Sequence, residues 1–357
     1  MVQSSAEPAA ARTGIEGQMR TTVAATLLAL LAPGCGMLPA GETATPSAIP
    51  SPRVELVGDA AVFDPVPRTG YGFMLPGAGV VAADASHAWA VGFGDERGDQ
   101  EVFHLTWTAG TTDWQVADGR VGRSIGLAFD PPGAIPSSVL APDDGGEWVM
   151  YFAASPEGGD DGTDIWRATA PGPGGPWTAD PEPVLARTAV PTEDGGEPTQ
   201  LDFPAVVRTD DGHRMLFGWS PSRATTLIRS ATSPDGVTWT VADEPAIDLG
   251  LCGGFDTRSV AMPRLAAHPN GGWVALYGGF SADAEAGMSI GLARSTDGLA
   301  WGCGSSGPVL ERADIPGSEL IHSYALLAGE GDAPMRLLVE SLVDDQSALW
   351  LAELRLD

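Results

Sequence analysis

The stretches SPDGVTW at residues 233–239 and STDGLAW at residues 295–301 share the pattern S-x-D-G-x-x-W, and this pattern decides the fold. Each stretch follows an alternating apolar run and contains an Asp-Gly pair, which favours a tight turn between antiparallel strands. Four tryptophans recur at spacings of 63, 62 and 62 residues: Trp114, Trp177, Trp239 and Trp301. A fixed period of this length indicates a repeat architecture.

Five units with the same internal order follow one another from residue 77 onward. The third unit shows the order clearly, with PAVVRT (204–209), RMLFGWS (214–220), TLIRSATS (226–233) and TWTVAD (238–243) separated by turn residues. Four antiparallel strands repeated five times predict an all-β protein, a five-bladed β-propeller over residues 53–357. The fifth unit lacks a fourth strand, so we expect RVELVGDAAVF, residues 53–63, to supply it and close the ring.

The repeated turn is expected to be structural. In a propeller the innermost strand of each blade starts at the top face, so the turns between third and fourth strands fall at the bottom. Gly236 and Gly298 would supply the positive φ of the turn, and Trp239 and Trp301 would pack between blades. Chemistry is therefore expected at the opposite, top face.

The N-terminal region is typical of an exported protein. Residues 1–35 are interpreted as an extension and a signal peptide, because MRTTVAATLLALLAPGCG (19–36) has one Arg followed by an apolar run too short to span a bilayer. LLAPGC resembles a bacterial lipobox, with Cys35 as the lipidated residue; ordinary cleavage and release is the alternative. Residues 36–52 would form a Pro/Ser/Thr-rich tether, and the mature protein would lie outside the cytoplasm.

The charge excludes two classes of partner. The 357 residues include 47 Asp and Glu against 19 basic residues, which gives a formal net charge of −28. Nucleic acids and anionic membrane surfaces attract Lys/Arg clusters, so neither is expected as a partner. Contact with a membrane would occur only through the lipid anchor, and we expect a monomer.

Two cysteines remain besides Cys35. Cys252 and Cys303 form an even pair in an exported chain, which favours a disulfide; two buried free thiols are the alternative. No Cys/His spacing predicts a zinc site.

Charged residues stand where the innermost strands are predicted to begin. They are Asp130 in AFDPPGAIPSS, Asp202 in TQLDFPAVV, Asp256 and Arg258 in FDTRSVAMP, and Glu319 and His322 in GSELIHSYALL. Carboxylates gathered around one channel can divide into a proton donor with a raised pKa and an ionised base. Each could equally be an exposed loop carboxylate without a role in chemistry.

The five-blade layout, the A-x-S-x-D-G-x-x-W hairpins and the run LDFPAVVRTDDGHRML (201–216) resemble the five-bladed glycoside hydrolases, families 43, 62, 32, 68 and 117. This resemblance implies a carbohydrate ligand. Family 43 enzymes have an Asp base in blade one, an orienting Asp in blade three and a Glu acid in blade four. Asp202 matches the blade-three Asp, whereas Ala261 stands at the acid position and LPGAGVV in blade one has no carboxylate. His322, in I-H-S, resembles a family His that faces a central cation or water; a hydrogen-bonded core His is the alternative.

Two functions remain open at this point. The first is a glycosidase with displaced carboxylates, in which Asp256 or Glu319 is the acid and Asp130 or Asp202 the base. The second is a propeller that binds a glycan without cleaving it, or that serves a structural role at the cell surface. A sialidase-like hydrolase is a lesser alternative in which Arg258 would hold a substrate carboxylate.

Overall fold

The computed structural model describes residues 52–63, 65, 73–82, 85–93, 100–108, 113–117, 134–143, 145–155, 162–190, 192, 195–283, 287–328 and 335–356. Its strands form five antiparallel sheets of four strands each, and the innermost strands of successive sheets contact one another around a ring. The fold is a five-bladed β-propeller, as the repeat predicts.

The twenty strands are numbered in chain order, and β1 is Arg53–Leu56. Blade one contains β2 (Phe73–Val81), β3 (Ser86–Phe93), β4 (Gln100–Trp107) and β5 (Gln115–Val116). Blade two contains β6 (Ile135–Leu140), β7 (Trp148–Ala154), β8 (Asp164–Ala170) and β9 (Thr178–Ala179). Blade three contains β10 (Gln200–Thr209), β11 (Gly212–Ser222), β12 (Thr225–Ser233) and β13 (Thr240–Val241). Blade four contains β14 (Ser259–Ala267), β15 (Trp273–Phe280), β16 (Met288–Ser295) and β17 (Gly302–Cys303), and blade five contains β18 (Leu320–Leu327), β19 (Met335–Val343) and β20 (Gln346–Arg355).

The N-terminal strand closes the ring. β1 pairs antiparallel with β20 as the outer strand of blade five, with Val54 opposite Leu354. Farther along, Phe63 forms a β-bridge with Leu349, and both side chains are buried. The first described segment of the chain therefore completes the last blade, as expected from the missing fourth strand.

Each innermost strand contains a β-bulge, and β10 begins at Gln200, before the predicted start at Pro204. The bulges fall between Pro76 and Ala78, Pro136 and Ser138, Asp202 and Ala205, Ala261 and Arg264, and Ile321 and Ser323. Four of the five bulges include or adjoin a proline, which has no N–H to give to a ladder. Prolines are usually found at the first residue of a strand. In these strands the bulge accommodates the proline inside the strand instead.

The repeated S-x-D-G-x-x-W turn is held by its own polar side chains. The Gly236 N–H donates to Ser233 Oγ at 2.8 Å, and the Val237 and Thr238 N–H groups donate to Asp235 Oδ1 at 2.9 and 2.7 Å. These hydrogen bonds to the charged form hold the pKa of Asp235 at about 2. Gly236 has a φ of 73°, the left-handed conformation that glycine adopts most readily. The turn lies between β12 and β13, at the bottom end of blade three, and these contacts hold it in place.

The hydrophobic core is divided among the blade interfaces. Five clusters of buried side chains lie between neighbouring blades. Trp177 packs in the cluster between blades one and two, and Trp114 in the cluster between blades five and one. The ring of Trp239 meets the Tyr151 ring of blade two edge to face, with centroids 6.0 Å apart. The periodic tryptophans thus join one blade to the next.

A disulfide links the segment before blade four to the outer strand of that blade. The Cys252 and Cys303 sulfur atoms are 2.07 Å apart, and the bond closes a loop with a sequence separation of 51 residues. Loop entropy of this length contributes at most about 4 kcal/mol to the free energy of unfolding.

Some sequence predictions lie outside the described residues. They are the signal peptide, Cys35, the tether up to Ser51, and Asp130. Within the described ranges, no helix has the length and apolar character needed to cross a bilayer.

Candidate functional site

A polar cavity of about 470 Å³ opens on the top face over blade three, beside the edge of blade two. We call it the top-face pocket. Its lining carries five hydroxyl groups, one amide and one guanidinium, from Thr163, Thr199, Ser220, Ser222, Thr226, Gln200 and Arg223. None of the described residues that line it is Asp or Glu, although the chain as a whole has 47 acidic residues.

Strand ends place these side chains. Gln200 begins β10, Ser220 and Ser222 end β11, and Thr226 lies at the start of β12. Because these strands are antiparallel, the start of β10, the end of β11 and the start of β12 all lie at the top end of blade three. Arg223 lies in the tight turn between β11 and β12, and its side chain is exposed.

The hydroxyl groups of the pocket are already oriented by the protein. Thr163 Oγ1 donates to the Leu201 carbonyl oxygen at 2.7 Å, and Thr199 Oγ1 donates to the Ser220 carbonyl oxygen at 3.1 Å. The Ser220 and Thr226 hydroxyl oxygens are 2.8 Å apart. A hydroxyl that donates inward keeps lone pairs that can accept from a ligand. The pocket thus offers fixed acceptors, together with the donors of Arg223.

Asp202 lies beside Gln200, inside β10. Its carboxylate Oδ2 accepts a hydrogen bond of 2.6 Å from Gln200 Nε2, and its Oδ1 has no hydrogen-bond partner among the described residues. The residue is only 7% exposed, and burial raises the pKa of the Asp202 carboxyl to about 7. A carboxyl of this kind can carry a proton at neutral pH and act as a donor.

The backbone opposite Asp202 is adapted to the carboxyl. Asp202 pairs with Gly218 of β11, and a Cβ atom at Gly218 would overlap Asp202 Oδ1. Any side chain at residue 218 would therefore displace the carboxyl from its place. Glycine here keeps room for an acidic group inside the blade.

The sequence places Asp202 at the top rim, before a strand starting at Pro204, and the structure places it inside the strand. Phe203 has a φ of 47° and the bulge carries Pro204 within β10. Asp202 is therefore a strand residue that faces the interior.

Asp256 and Arg258 have different surroundings although they are two residues apart. Asp256 has no exposed surface, and its Oδ2 accepts hydrogen bonds from the Cys252 N–H at 3.0 Å and the Tyr277 hydroxyl at 2.8 Å. Arg258 is exposed, and the hydroxyl oxygen of the next residue, Ser259, accepts a hydrogen bond from the Thr226 N–H at 3.1 Å. β14 therefore begins beside a residue that lines the top-face pocket, whereas the Asp256 carboxylate is enclosed in blade four.

Blade five contains a His–Glu pair. His322 Nδ1 lies 3.4 Å from Oε2 of Glu340, which is fully buried, and Glu340 Oε1 accepts a 2.7 Å hydrogen bond from the Ser347 hydroxyl. Glu319, predicted as a catalytic acid, is exposed three residues before His322. Glu340 was missed because it lies within the apolar run MRLLVESL; a Glu inside such a run is itself a signal, since buried acidic residues are rare unless paired.

His322 was also expected beside a central cation. In the structure, His322 lies against the carboxylate of Glu340. Within the described ranges, no group of three or more His, Cys, Asp or Glu side chains is placed to hold a metal ion. The cation therefore stays a prediction.

The sequence matches no protein-family model and no curated protein. Solved structures share its fold. A glycoside hydrolase is 13% identical with a TM-score of 0.60, and the match covers 84% of this protein and 92% of that one. A thermostable family-43 glycoside hydrolase is 15% identical with a TM-score of 0.54, over 80% and 90% of the two proteins. The catalytic domain of the Coprinopsis cinerea GH62 alpha-L-arabinofuranosidase is 12% identical with a TM-score of 0.55, over 85% and 97%. At these identities the comparisons establish that the protein has the five-bladed propeller fold found in glycoside hydrolases.

Proposed function

We propose that this protein is a carbohydrate-binding propeller whose ligand occupies the top-face pocket. The observation that carries the proposal is the lining, which combines five hydroxyl groups with Gln200 and Arg223 and holds no Asp or Glu among its described residues. Sugar hydroxyls both donate and accept hydrogen bonds, so a wall of oriented hydroxyl and amide groups matches them. A pocket with few polar groups would instead suit an apolar ligand.

The fold supports this proposal by analogy. The similar structures include a family-43 glycoside hydrolase and an alpha-L-arabinofuranosidase, whose names state an action on glycosides. A shared fold favours the hypothesis of a carbohydrate ligand, but the function has to be argued from the residues of the site. In this protein the site is the top-face pocket.

Hydrolysis of a glycosidic bond is the second candidate, and Asp202 favours it. A buried carboxyl whose pKa is about 7 suits a general acid, and Gln200 connects it to the pocket lining. A glycosidase also needs a second carboxyl roughly 5 to 10 Å away. Asp130, Asp256 and Glu319 are the candidates from the sequence. Of these, Asp256 would have to leave its hydrogen bonds to Cys252 and Tyr277 before it could meet a substrate.

The binding proposal is tested with a glycan array, followed by calorimetric titration of the strongest oligosaccharide. Gln200→Ala and Ser220→Ala should each weaken binding about tenfold, because a hydrogen bond in such a site contributes about 1 to 1.5 kcal/mol. Thr296→Ala, an exposed change at the bottom of blade four, is the matched control and should leave the affinity unchanged. Equal affinities for all four proteins, or no glycan bound by the folded wild type, would rule out this pocket.

The hydrolytic candidate is tested separately with a panel of aryl glycosides and the array oligosaccharides. Asp202→Asn should abolish turnover and leave binding within a few-fold of the wild type if the carboxyl donates the proton. Binding without turnover by the wild type assigns the protein to glycan recognition alone.

We further propose that the protein is exported and lipid-anchored through Cys35. The apolar run before LLAPGC and the Pro/Ser/Thr-rich tether after it support this proposal. Mass spectrometry of the membrane-bound protein should find a diacylglyceryl group on Cys35, and Cys35→Ser should move the protein out of the membrane fraction. An unmodified Cys35 in protein recovered from the membrane would contradict the anchor.

A further inference from the structure

The axis of the propeller contains a second cavity, of about 320 Å³, which all five innermost strands line. Most of the lining residues lie in the C-terminal halves of these strands or directly after them, so the cavity lies toward the bottom face, away from the top-face pocket. We call it the central cavity. Much of its wall is apolar, from Val80, Val139, Leu140, Val207, Leu265 and Leu326.

Arg264 also lines the central cavity, and it is 3% exposed. Its Nε donates to the Tyr324 carbonyl oxygen at 3.0 Å and its Nη1 to the Pro263 carbonyl oxygen at 2.8 Å. The described part of the protein gives its Nη2 neither a hydrogen-bond acceptor nor a carboxylate partner. Burial lowers the pKa of the Arg264 guanidinium to about 10, so the group stays charged at neutral pH.

The corresponding residues of the other blades show that the charge is not needed to hold the ring together. Arg264 directly follows the bulge of β14, and the residues that directly follow the other four bulges are Ala78, Ser138, Ala205 and Ser323. Ser138 Oγ donates to the Val206 carbonyl oxygen of the next innermost strand, as Arg264 Nε does to Tyr324. A serine can thus make this contact between blades. The guanidinium adds a buried positive charge.

The other charges of the cavity do not offset Arg264. Arg208 is paired with Asp143, with Nε and Oδ2 3.0 Å apart, and its Nη1 donates to the Ala141 carbonyl oxygen. Asp143 is mostly exposed and is thus engaged by a different arginine. Two arginines and one carboxylate among the described lining residues leave one positive charge. A buried cation without a counter-charge is costly, and a bound anion would remove that cost.

We propose that the central cavity binds a small aliphatic carboxylate, whose oxygens accept hydrogen bonds from Arg264 and whose carbon chain contacts the surrounding Val and Leu side chains. The guanidinium selects the charged group, since its planar fork matches a carboxylate. The apolar wall selects a short hydrocarbon tail over a fully hydrated inorganic anion. This site is separate from the proposed glycan site and does not depend on it.

The test is a calorimetric titration of the wild-type protein with butyrate at constant ionic strength, in parallel with n-butanol and with sulfate. Butyrate should bind with a stoichiometry of one, and n-butanol and sulfate should bind at least tenfold more weakly. Arg264→Met, which keeps most of the side-chain volume and removes the charge, should weaken butyrate binding at least tenfold. Arg312→Met, a change of an exposed arginine, should not.

Three results would overturn the proposal: no saturable binding of butyrate by the wild type, equal binding by Arg264→Met, or tighter binding of sulfate than of butyrate. Arg264→Lys provides a second variant if the methionine variant does not fold, because it keeps the charge and loses the fork. It should bind butyrate more weakly than the wild type and more tightly than any uncharged variant that folds.

Discussion

A protein that starts at Asp64 is expected to lose most of the stability of the propeller and to aggregate. Residues 53–63 supply the outer strand of blade five and bury Val54, Val62 and Phe63. Each such side chain contributes about 1.5 to 3 kcal/mol, so the three together contribute roughly 5 to 9 kcal/mol. That is comparable to the whole free energy of unfolding of a typical domain, about 5 to 15 kcal/mol. The deletion would also expose the edge of β20, which can pair with another molecule.

The matched control is a protein that starts at Pro52, which removes the tether and keeps β1. It should unfold in urea at the midpoint of the longer protein and stay monomeric in sedimentation. Val57→Ala, at a side chain that is 44% exposed, should likewise have little effect. If the proteins starting at Pro52 and at Asp64 unfold at the same midpoint, β1 does not hold the ring closed.

Asp202→Asn is expected to stabilise the protein at pH 8 and to have little effect at pH 4. Burial raises the pKa of Asp202 in the folded protein to about 7, above its ordinary value of 3.8. Below pH 4 the carboxyl is protonated in both the folded and the unfolded protein, so it does not lower the free energy of unfolding. As the pH rises from about 4 to 7, only the unfolded protein releases the proton, so the wild type loses stability across this window. The loss amounts to up to about 4 kcal/mol at pH 8, and asparagine avoids it.

The measurement is the free energy of unfolding in urea at several pH values for the wild type and for Asp202→Asn. The difference between the two proteins should grow between pH 4 and 7 and stay constant above. Ser222→Ala, a change on the next strand that alters no titratable group, should give a difference independent of pH. If the difference in the free energy of unfolding between the wild type and Asp202→Asn does not change with pH, the carboxyl is ionised and solvated in the folded protein.

The fold could be predicted from the sequence because each copy of the repeat is recognisable from a short stretch of residues. The tryptophan spacing and the Asp-Gly turns recur along the sequence. The conformation of each turn is determined mainly by the residues immediately around it. The closure by β1 followed from counting strands, since blade five lacked a partner for β20. Local pattern and topology thus agreed.

The site could be predicted only in part because burial depends on strands distant in sequence. The motif L-D-F-P singles out Asp202 in the sequence, but the burial of its carboxyl depends on a bulge and on Gly218 across the sheet. Arg264 and Glu340 belong to ordinary apolar runs in the sequence. Only the assembled ring shows that Arg264 lines the central cavity and that Glu340 contacts His322. The hydroxyl residues of the top-face pocket are common types whose grouping arises from the ends of four strands.

Hydrogen exchange with and without the oligosaccharide found on the array tests the central claim most directly, because it locates the bound ligand on the fold. Occupation of the top-face pocket should slow exchange of the amides around Thr199 and Gln200 and in the turn between β11 and β12. The amides of the bottom turn at Asp235 and Gly236 should be unaffected. Protection that falls on the bottom turns or on blade one, with none at blade three, would contradict the assignment of the carbohydrate site.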